Sequence, residues 1–192
     1  MIVNKDLRSY VKVYDNWLDA EKCKQTISEM NNINWEQHTF YYPADGSSAA
    51  PSGNRELDVS YEGGNISTQP YVTQRIWDAY RKYTDELEFS WFGSWQGFSA
   101  VRFNRYSEDR LMALHCDHIH SLFDGKAKGI PTMTFLAVLN DDYEGGEFIM
   151  WGDEEIKFKT GTAVVFPSLF LFPHGVQPVT KGTRYSCVSW AW

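Results

Sequence analysis

His115-Cys116-Asp117, near the middle of the chain, sets an imidazole and a carboxylate two positions apart. In extended backbone the side chains alternate faces, so His115 and Asp117 point one way while Leu114 and Cys116 point the other. One imidazole and one carboxylate converging off a sheet are part of a two-His-one-carboxylate set, which holds Fe(II) on one side and leaves the opposite positions open. His-x-Asp alone is a weak signal, because the set needs a second histidine from a remote strand. His174, in Phe172-Pro173-His174-Gly175-Val176, is the candidate; taken by itself it also reads as a surface histidine in a Pro/Gly turn. Beyond it, Gln177-Pro178-Val179-Thr180-Lys181-Gly182-Thr183-Arg184-Tyr185-Ser186 reads as a tight turn entering a last strand, with Arg184 and Ser186 on one face. A guanidinium in a strand that continues with Val188 and Trp190 is costly to bury without an anion. Its planar fork suits a carboxylate held by two hydrogen bonds, and a neighbouring hydroxyl adds a third. The competing reading pairs Arg184 with an internal Asp or Glu. Together the four residues ask for a metal and a carboxylate-bearing ligand beside it.

Such a site needs strands that bring remote residues to one cavity. From Phe98 onward the pattern is β: residues 98–106, 111–116, 132–140, 147–151, 156–159, 162–166 and 184–192 are strand candidates. They are punctuated by Glu144-Gly145-Gly146, Gly152-Asp153, Thr160-Gly161 and Lys181-Gly182. Tyr10–Tyr14 reads as an earlier strand. Asp19 caps a helix running to about Asn31 that buries Cys23, Ile27 and Met30. A second helix starts after Ser67-Thr68, with Pro70 in its first turn, and runs to about Leu87. Its stripe of Val72, Ile76, Tyr80, Tyr83 and Leu87 is fit to pack on a sheet. Residues 41–68, rich in Pro, Gly, Ser and Asn, read as a long loop, either a flap over a site or a surface excursion. Many short strands with helices confined to the first half predict a mainly β protein with supporting helices, a cupin-like jelly roll. We read residues 1–192 as a single domain, with 1–97 as helical and flap support and 98–192 as the β core.

Eight Trp, eleven Tyr and twelve Phe suit sheets and a broad apolar interior. A net charge of −7 argues against a non-specific grip on nucleic acid or on an anionic membrane. Cys23, Cys116 and Cys187 are odd in number and scattered, without disulfide or zinc-knuckle spacing, as in a reducing cytoplasm. The N-terminus reads as no signal peptide, no window is long and apolar enough for a membrane span, and the Asn65-Ile66-Ser67 sequon is taken as coincidence. His118 and His120 sit on the opposite alternation from a shared triad and are expected to be ordinary loop or supporting histidines. His38 is expected to be structural, Cys116 to face the core without a catalytic role, and Arg102 and Arg105 to form surface ion pairs. Trp190 shares the face of Arg184 and is a candidate to line the pocket.

At these residues the chain resembles the Fe(II)/2-oxoglutarate-dependent dioxygenases, in particular their prolyl-4-hydroxylase-like branch. Three segments carry the resemblance: Tyr106 to Asp117; Thr134–Asn140 with Asp141-Asp142-Tyr143-Glu144-Gly145-Gly146-Glu147-Phe148; and Gly161–Pro167 with His174 and the Pro178–Ser186 run. Bacterial and phage-encoded members are the most similar at the last of these. The resemblance implies a double-stranded β-helix in which His115, Asp117 and His174 bind iron. It implies that Arg184 pairs with the distal carboxylate of 2-oxoglutarate, helped by Tyr106 and by Thr134 or Ser186. It also implies O2 as co-substrate, with ascorbate as an accessory reductant, and hydroxylation of a C–H bond. Peptidyl proline in a peptide or protein is the leading substrate, and the cytoplasm, that of the host for a phage protein, the location. Met112 and Val138 depart from positions where other members carry tyrosine, and Arg184 stands where collagen-type enzymes carry lysine, which leaves the substrate open. Asp117 argues against halogenation, which needs that ligand position free. The alternatives are hydroxylation of a free amino acid or other small metabolite, a non-catalytic cupin-like binding protein, and a zinc hydrolase, in which Arg184 would lack a purpose.

Overall fold

The computed structural model describes residues 5–42, 46–92, 95–117 and 131–192. Its strands, in chain order, are β1 (Lys12–Tyr14), β2 (Glu36–Gln37), β3 (Phe40–Tyr42), β4 (Ser47–Ala49), β5 (Asp58–Ser60), β6 (Arg102–Tyr106), β7 (Met112–His115) and β8 (Met133–Val138). They continue with β9 (Glu144–Gly145), β10 (Phe148–Met150), β11 (Glu154–Ile156), β12 (Ala163–Pro167), β13 (His174–Val176), β14 (Val179–Lys181) and β15 (Arg184–Ala191). The helices are α1 (Ala20–Glu29) and α2 (Gln69–Leu87).

A seven-stranded antiparallel sheet, ordered β1-β12-β8-β15-β6-β5-β2, faces a four-stranded one, β11-β10-β13-β7. The two enclose Tyr106, Met112, Leu136, Val138, Phe148, Phe166, Val176, Val188 and Trp190. This is the double-stranded β-helix, or jelly roll. The other face of the large sheet, with Phe103, Phe135, Ala137, Val165 and Cys187, packs against the helices. β8 is buried on both faces, which is why it reads as one apolar run rather than an alternating one. Each large side chain taken out of water here contributes about 1.5–3 kcal/mol before entropy is counted.

The helices form where their caps and stripes allow. The Asp19 side chain accepts a hydrogen bond from Lys22 N at 3.0 Å and opens α1. α2 begins with Pro70 in its first turn and buries Val72, Ile76, Tyr80 and Tyr83, while Leu87 is half-buried. Tyr80 Oη donates to Ser189 O at 2.7 Å, pinning the helix to β15. Among the described residues no helix is long and apolar enough to cross a membrane.

Several elements differ from the sequence reading. Residues 41–68 are not one loop: they hold most of the β3–β4 hairpin, and β5, which pairs with both β2 and β6 in the large sheet. The Pro and Gly residues there punctuate short strands instead of replacing them. The segment read as a tight turn before the last strand contains β14, and β13, just ahead of it, forms where no strand was expected. The strand expected at 156–159 lies at Glu154–Ile156, because Trp151 and Gly152, both at positive φ, make a tight turn and pairing restarts at once. Of 98–106, Phe98 makes only an isolated bridge to Ala191, and regular pairing begins at Arg102.

Candidate active site

β7 and β13 are neighbours in the smaller sheet, and their register sets His174 directly against His115. A Cβ at Gly175 would stand 2.9 Å from Met112 O, so glycine beside His174 lets the two strands close. Asp117 follows His115 by two residues and turns the same way. His115 Nε2 lies 3.3 Å from one Asp117 oxygen and His174 Nε2 lies 3.5 Å from the other. All three donor atoms fall within 4.8 Å of one another. Each imidazole is fixed from behind: His115 Nδ1 meets Ala113 O at 2.8 Å and His174 Nδ1 meets Phe172 O at 3.1 Å. Nδ1–H therefore donates to a carbonyl and Nε2 keeps its lone pair for a metal. Phe40 packs on His115, and Phe148 and Phe166 pack on His174.

Thr134, on the cavity face of β8, donates from Oγ1 to Asp117 Oδ2 at 2.7 Å and shares a second 2.7 Å bond with Ser168 Oγ. Burial alone would push the Asp117 carboxyl up. The His174 and His115 rings and the Thr134 hydroxyl outweigh it and hold the group ionised, well below the usual range. Complete burial brings His174 down to about 4 against the pull of Asp117, so the ring is neutral and free to ligate near pH 7. Two imidazoles with Nε2 turned inward and an oriented carboxylate, with no thiolate, fit a divalent iron-type ion.

Arg184 begins β15 opposite Tyr106 on β6 and is fully buried. Its Nη1 lies 3.3 Å from Ser186 Oγ, and its Cζ lies 5.0 Å from the centre of the Tyr106 ring. Nε and Nη2 are buried without any hydrogen-bond partner among the described residues. A Cβ on Gly146 would crowd Arg184 Cδ at 3.1 Å, so the Gly145-Gly146 turn makes room for the arginine stem. Burial raises the Tyr106 hydroxyl above its ordinary value against the pull of Arg184, and the group stays a donor. An orphaned guanidinium edge flanked by two hydroxyls fits a carboxylate such as the distal one of 2-oxoglutarate.

The structure thus gathers the sequence candidates in two groups between the two sheets. His115, Asp117, His174 and Thr134 stand in one, and Arg184, Tyr106 and Ser186 in the other. Thr134 bonds to Asp117 and not to the arginine. Cys116 does not face the core: its thiol donates to Phe170 O at 3.4 Å beside Leu114, which is 60% exposed, because the outer face of β7 meets solvent. His118 and His120 lie outside the described residues. Arg105 does pair with an acid, Asp58, at 2.9 Å, whereas Arg102 is buried on the cavity side. Alternation separates the two, since Arg102, Asn104 and Tyr106 share a face that Arg105 does not. The sequence reading also missed Ser168, Phe40 and the fully buried Glu56, whose charge bears on Tyr106.

Residues 101–192 match the family model described as the 2OG-Fe(II) oxygenase superfamily. Among curated relatives, a PKHD-type hydroxylase of Alteromonas mediterranea is 36% identical over 95 residues, covering 46% of this chain and 41% of that protein. One from Shewanella oneidensis is 39% identical over 93 residues, covering 46% and 40%. The matched stretch thus spans about two-fifths of these relatives' length. Among solved structures, a Trichoplax adhaerens prolyl hydroxylase in complex with a hypoxia inducible factor peptide fragment superposes with a TM-score of 0.70 at 15% identity, covering 95% of this chain and 83% of that one. The viral collagen prolyl hydroxylase of Paramecium bursaria Chlorella virus-1, in its 2OG complex, gives 0.63 at 18% identity, covering 95% and 94%. At such identities these structures speak for the fold. The family match spans the strands that carry every residue of the triad and the buried arginine, so the site lies within the part of the chain that is similar to the 2OG-Fe(II) oxygenase superfamily.

Proposed function

We propose that this chain, working as one domain, is an Fe(II)- and 2-oxoglutarate-dependent dioxygenase that hydroxylates a C–H bond, with peptidyl proline as the leading substrate. The observation that supports it most is Arg184: a buried guanidinium with two nitrogens unpartnered among the described residues, between the same two sheets as the His115, Asp117 and His174 donors. Iron on the three donors, with 2-oxoglutarate and O2, supplies oxidative decarboxylation to succinate and CO2, the other oxygen atom going to the substrate C–H bond. The protein's part is positional. Arg184, with the Ser186 and Tyr106 hydroxyls, takes the distal carboxylate and so fixes where the rest of the diacid lies. Thr134 holds one Asp117 oxygen, and the two Nδ1 contacts hold the imidazole planes. Phe148, Phe166, Leu136, Val188 and Trp190 keep water away.

The prolyl assignment is supported by the superposition on prolyl hydroxylases and by the peptide bound to the Trichoplax protein. The β3–β4 hairpin sets Phe40 with its ring centre 5.3 Å from that of His115, so it borders the site as a flap over an extended peptide would. A free amino acid or small metabolite is the alternative substrate. Three free thiols favour a reducing cytoplasm, that of the host for a phage-encoded protein, and ascorbate enters as an external reductant.

The test is incubation with Fe(II), 2-oxoglutarate and O2 in the presence of a proline-rich peptide panel and a set of free amino acids. We expect succinate together with a mass gain of one oxygen on a prolyl peptide, and loss of both in Asp117→Ala. Oxygen gained only by a free amino acid moves the assignment to small molecules. No succinate with any partner, despite bound metal, leaves a binding protein.

A further inference from the structure

The cavity face of the large sheet carries a second arginine. Arg102 stands opposite Val188 in the β6–β15 ladder and is only 7% exposed. Its Nε donates to Asn104 Oδ1 at 3.0 Å and its Cζ lies 4.8 Å from the centre of the Trp190 ring. Its Nη nitrogens have no acceptor, and no carboxylate lies in ion-pair range, among the described residues. With one edge tied to Asn104 and its plane over an indole, the guanidinium presents its remaining donors in a fixed direction. A charge buried this way without a counter-ion is unfavourable until an anion arrives.

Two buried groups nearby in the sheet lack a hydrogen-bond partner among the described residues. Trp190 Nε1, on the ring beneath Arg102, is buried without a partner, and so is His38 Nδ1. His38 lies edge-on to Phe40, which lies edge-on to His115. Trp190 stands opposite Thr134 in the β8–β15 register, and Thr134 bonds Asp117, so Arg102 over the Trp190 ring faces the triad. Arg184 and Val188, the residue opposite Arg102, are four residues apart on β15, roughly 13 Å of strand. A diacid seated on Arg184 therefore leaves Arg102 for a different anion.

Resting on the dioxygenase reading, we propose that Arg102 anchors a carboxylate of the substrate itself, so that the enzyme selects an anionic substrate whose carboxylate lies close to the C–H bond to be hydroxylated. Two sources share that chemistry: the α-carboxylate of a free or C-terminal residue, and the side chain of an Asp or Glu next to the target in a peptide.

The full chain loaded with Mn(II) under nitrogen permits a test without turnover. Calorimetry first measures 2-oxoglutarate binding. The loaded complex is then titrated with L-proline, acetyl-Gly-Pro acid, acetyl-Gly-Pro amide and acetyl-Asp-Pro-Gly amide. We expect at least one carboxylate-bearing probe to bind about tenfold or more tighter than acetyl-Gly-Pro amide, as for a hydrogen-bonded charge. L-proline or acetyl-Gly-Pro acid as the winner assigns the α-carboxylate, and the Asp probe assigns a side chain. Arg102→Met should erase the preference with 2-oxoglutarate affinity retained, which also reports an intact fold; Arg102→Lys should keep part of it. The proposal is overturned if no carboxylate probe outbinds the amide, or if Arg102→Met weakens 2-oxoglutarate instead. Failure of the wild-type protein to bind 2-oxoglutarate at all would remove the dioxygenase reading, a separate result.

Discussion

The two faces of the β6–β15 ladder treat arginine in opposite ways. On the face turned from the cavity, Arg105 lies 4.7 Å from the Trp35 ring centre and bonds Asp58, which stands directly opposite it in the β5–β6 register. On the cavity face, Arg102 lies over Trp190 and Arg184 over Tyr106, but their register partners are Val188 and Tyr106 and neither finds an acid among the described residues. The aromatic support is the same; the anion is what differs. Where the guanidinium serves the fold, the neighbouring strand supplies a counter-ion. Where it is absent, the buried charge costs stability that only a ligand recovers.

That contrast breaks most visibly at Arg184. Arg184→Met keeps the volume and removes an unpaired buried charge, so the melting temperature of the ligand-free protein should hold or rise. Binding of 2-oxoglutarate by the same variant should weaken by about 2–5 kcal/mol, roughly 30-fold or more. Calorimetry with Mn(II) and the diacid reads the second quantity, and thermal unfolding of the metal-free protein reads the first. A ligand-free variant that loses several kcal/mol would mean that Arg184 has an internal partner, and the two faces would then be alike. Thr134→Val is a smaller change at the other end of the cavity. It removes the donor to Asp117 Oδ2 at nearly constant shape, and metal affinity should drop about 10–100-fold while 2-oxoglutarate affinity at saturating metal changes little.

Much of this site was legible because each part has a local signature. The alternation of His115 and Asp117, and of Arg184 and Ser186, is a property of extended backbone and needed no knowledge of the fold. α2 was readable from Gln69 to Leu87 because helix periodicity and the N-terminal proline agree over nineteen residues. Short paired segments were not. β13 contains a glycine that a neighbouring carbonyl demands, and a close approach between strands leaves no periodic trace in three residues. The bond from Thr134 to Asp117 was not legible, because the sequence gives the face of Thr134 but not its distance along the strand from Asp117 or Arg184. Arg102 was grouped with Arg105 although parity divides them; what parity withholds is whether an acid lies opposite.

Asp58 tests the other half of the contrast. Asp58→Ala takes away the acceptor for Arg105 Nε and Nη2, at 3.3 and 2.9 Å, and the Arg110 contact at 3.8 Å. The Arg105 side chain is one-third exposed, so water can solvate what the carboxylate leaves, and the loss is capped well below that of a fully buried pair. We expect about 1–2 kcal/mol off the unfolding free energy, measured by urea denaturation, with 2-oxoglutarate affinity unchanged. Arg105 would keep its place over Trp35, and Tyr106 on the other face of β6 would not move. A loss of diacid binding in Asp58→Ala would show that the two faces communicate through β6, and the counter-ion would then be serving the cavity as well as the fold.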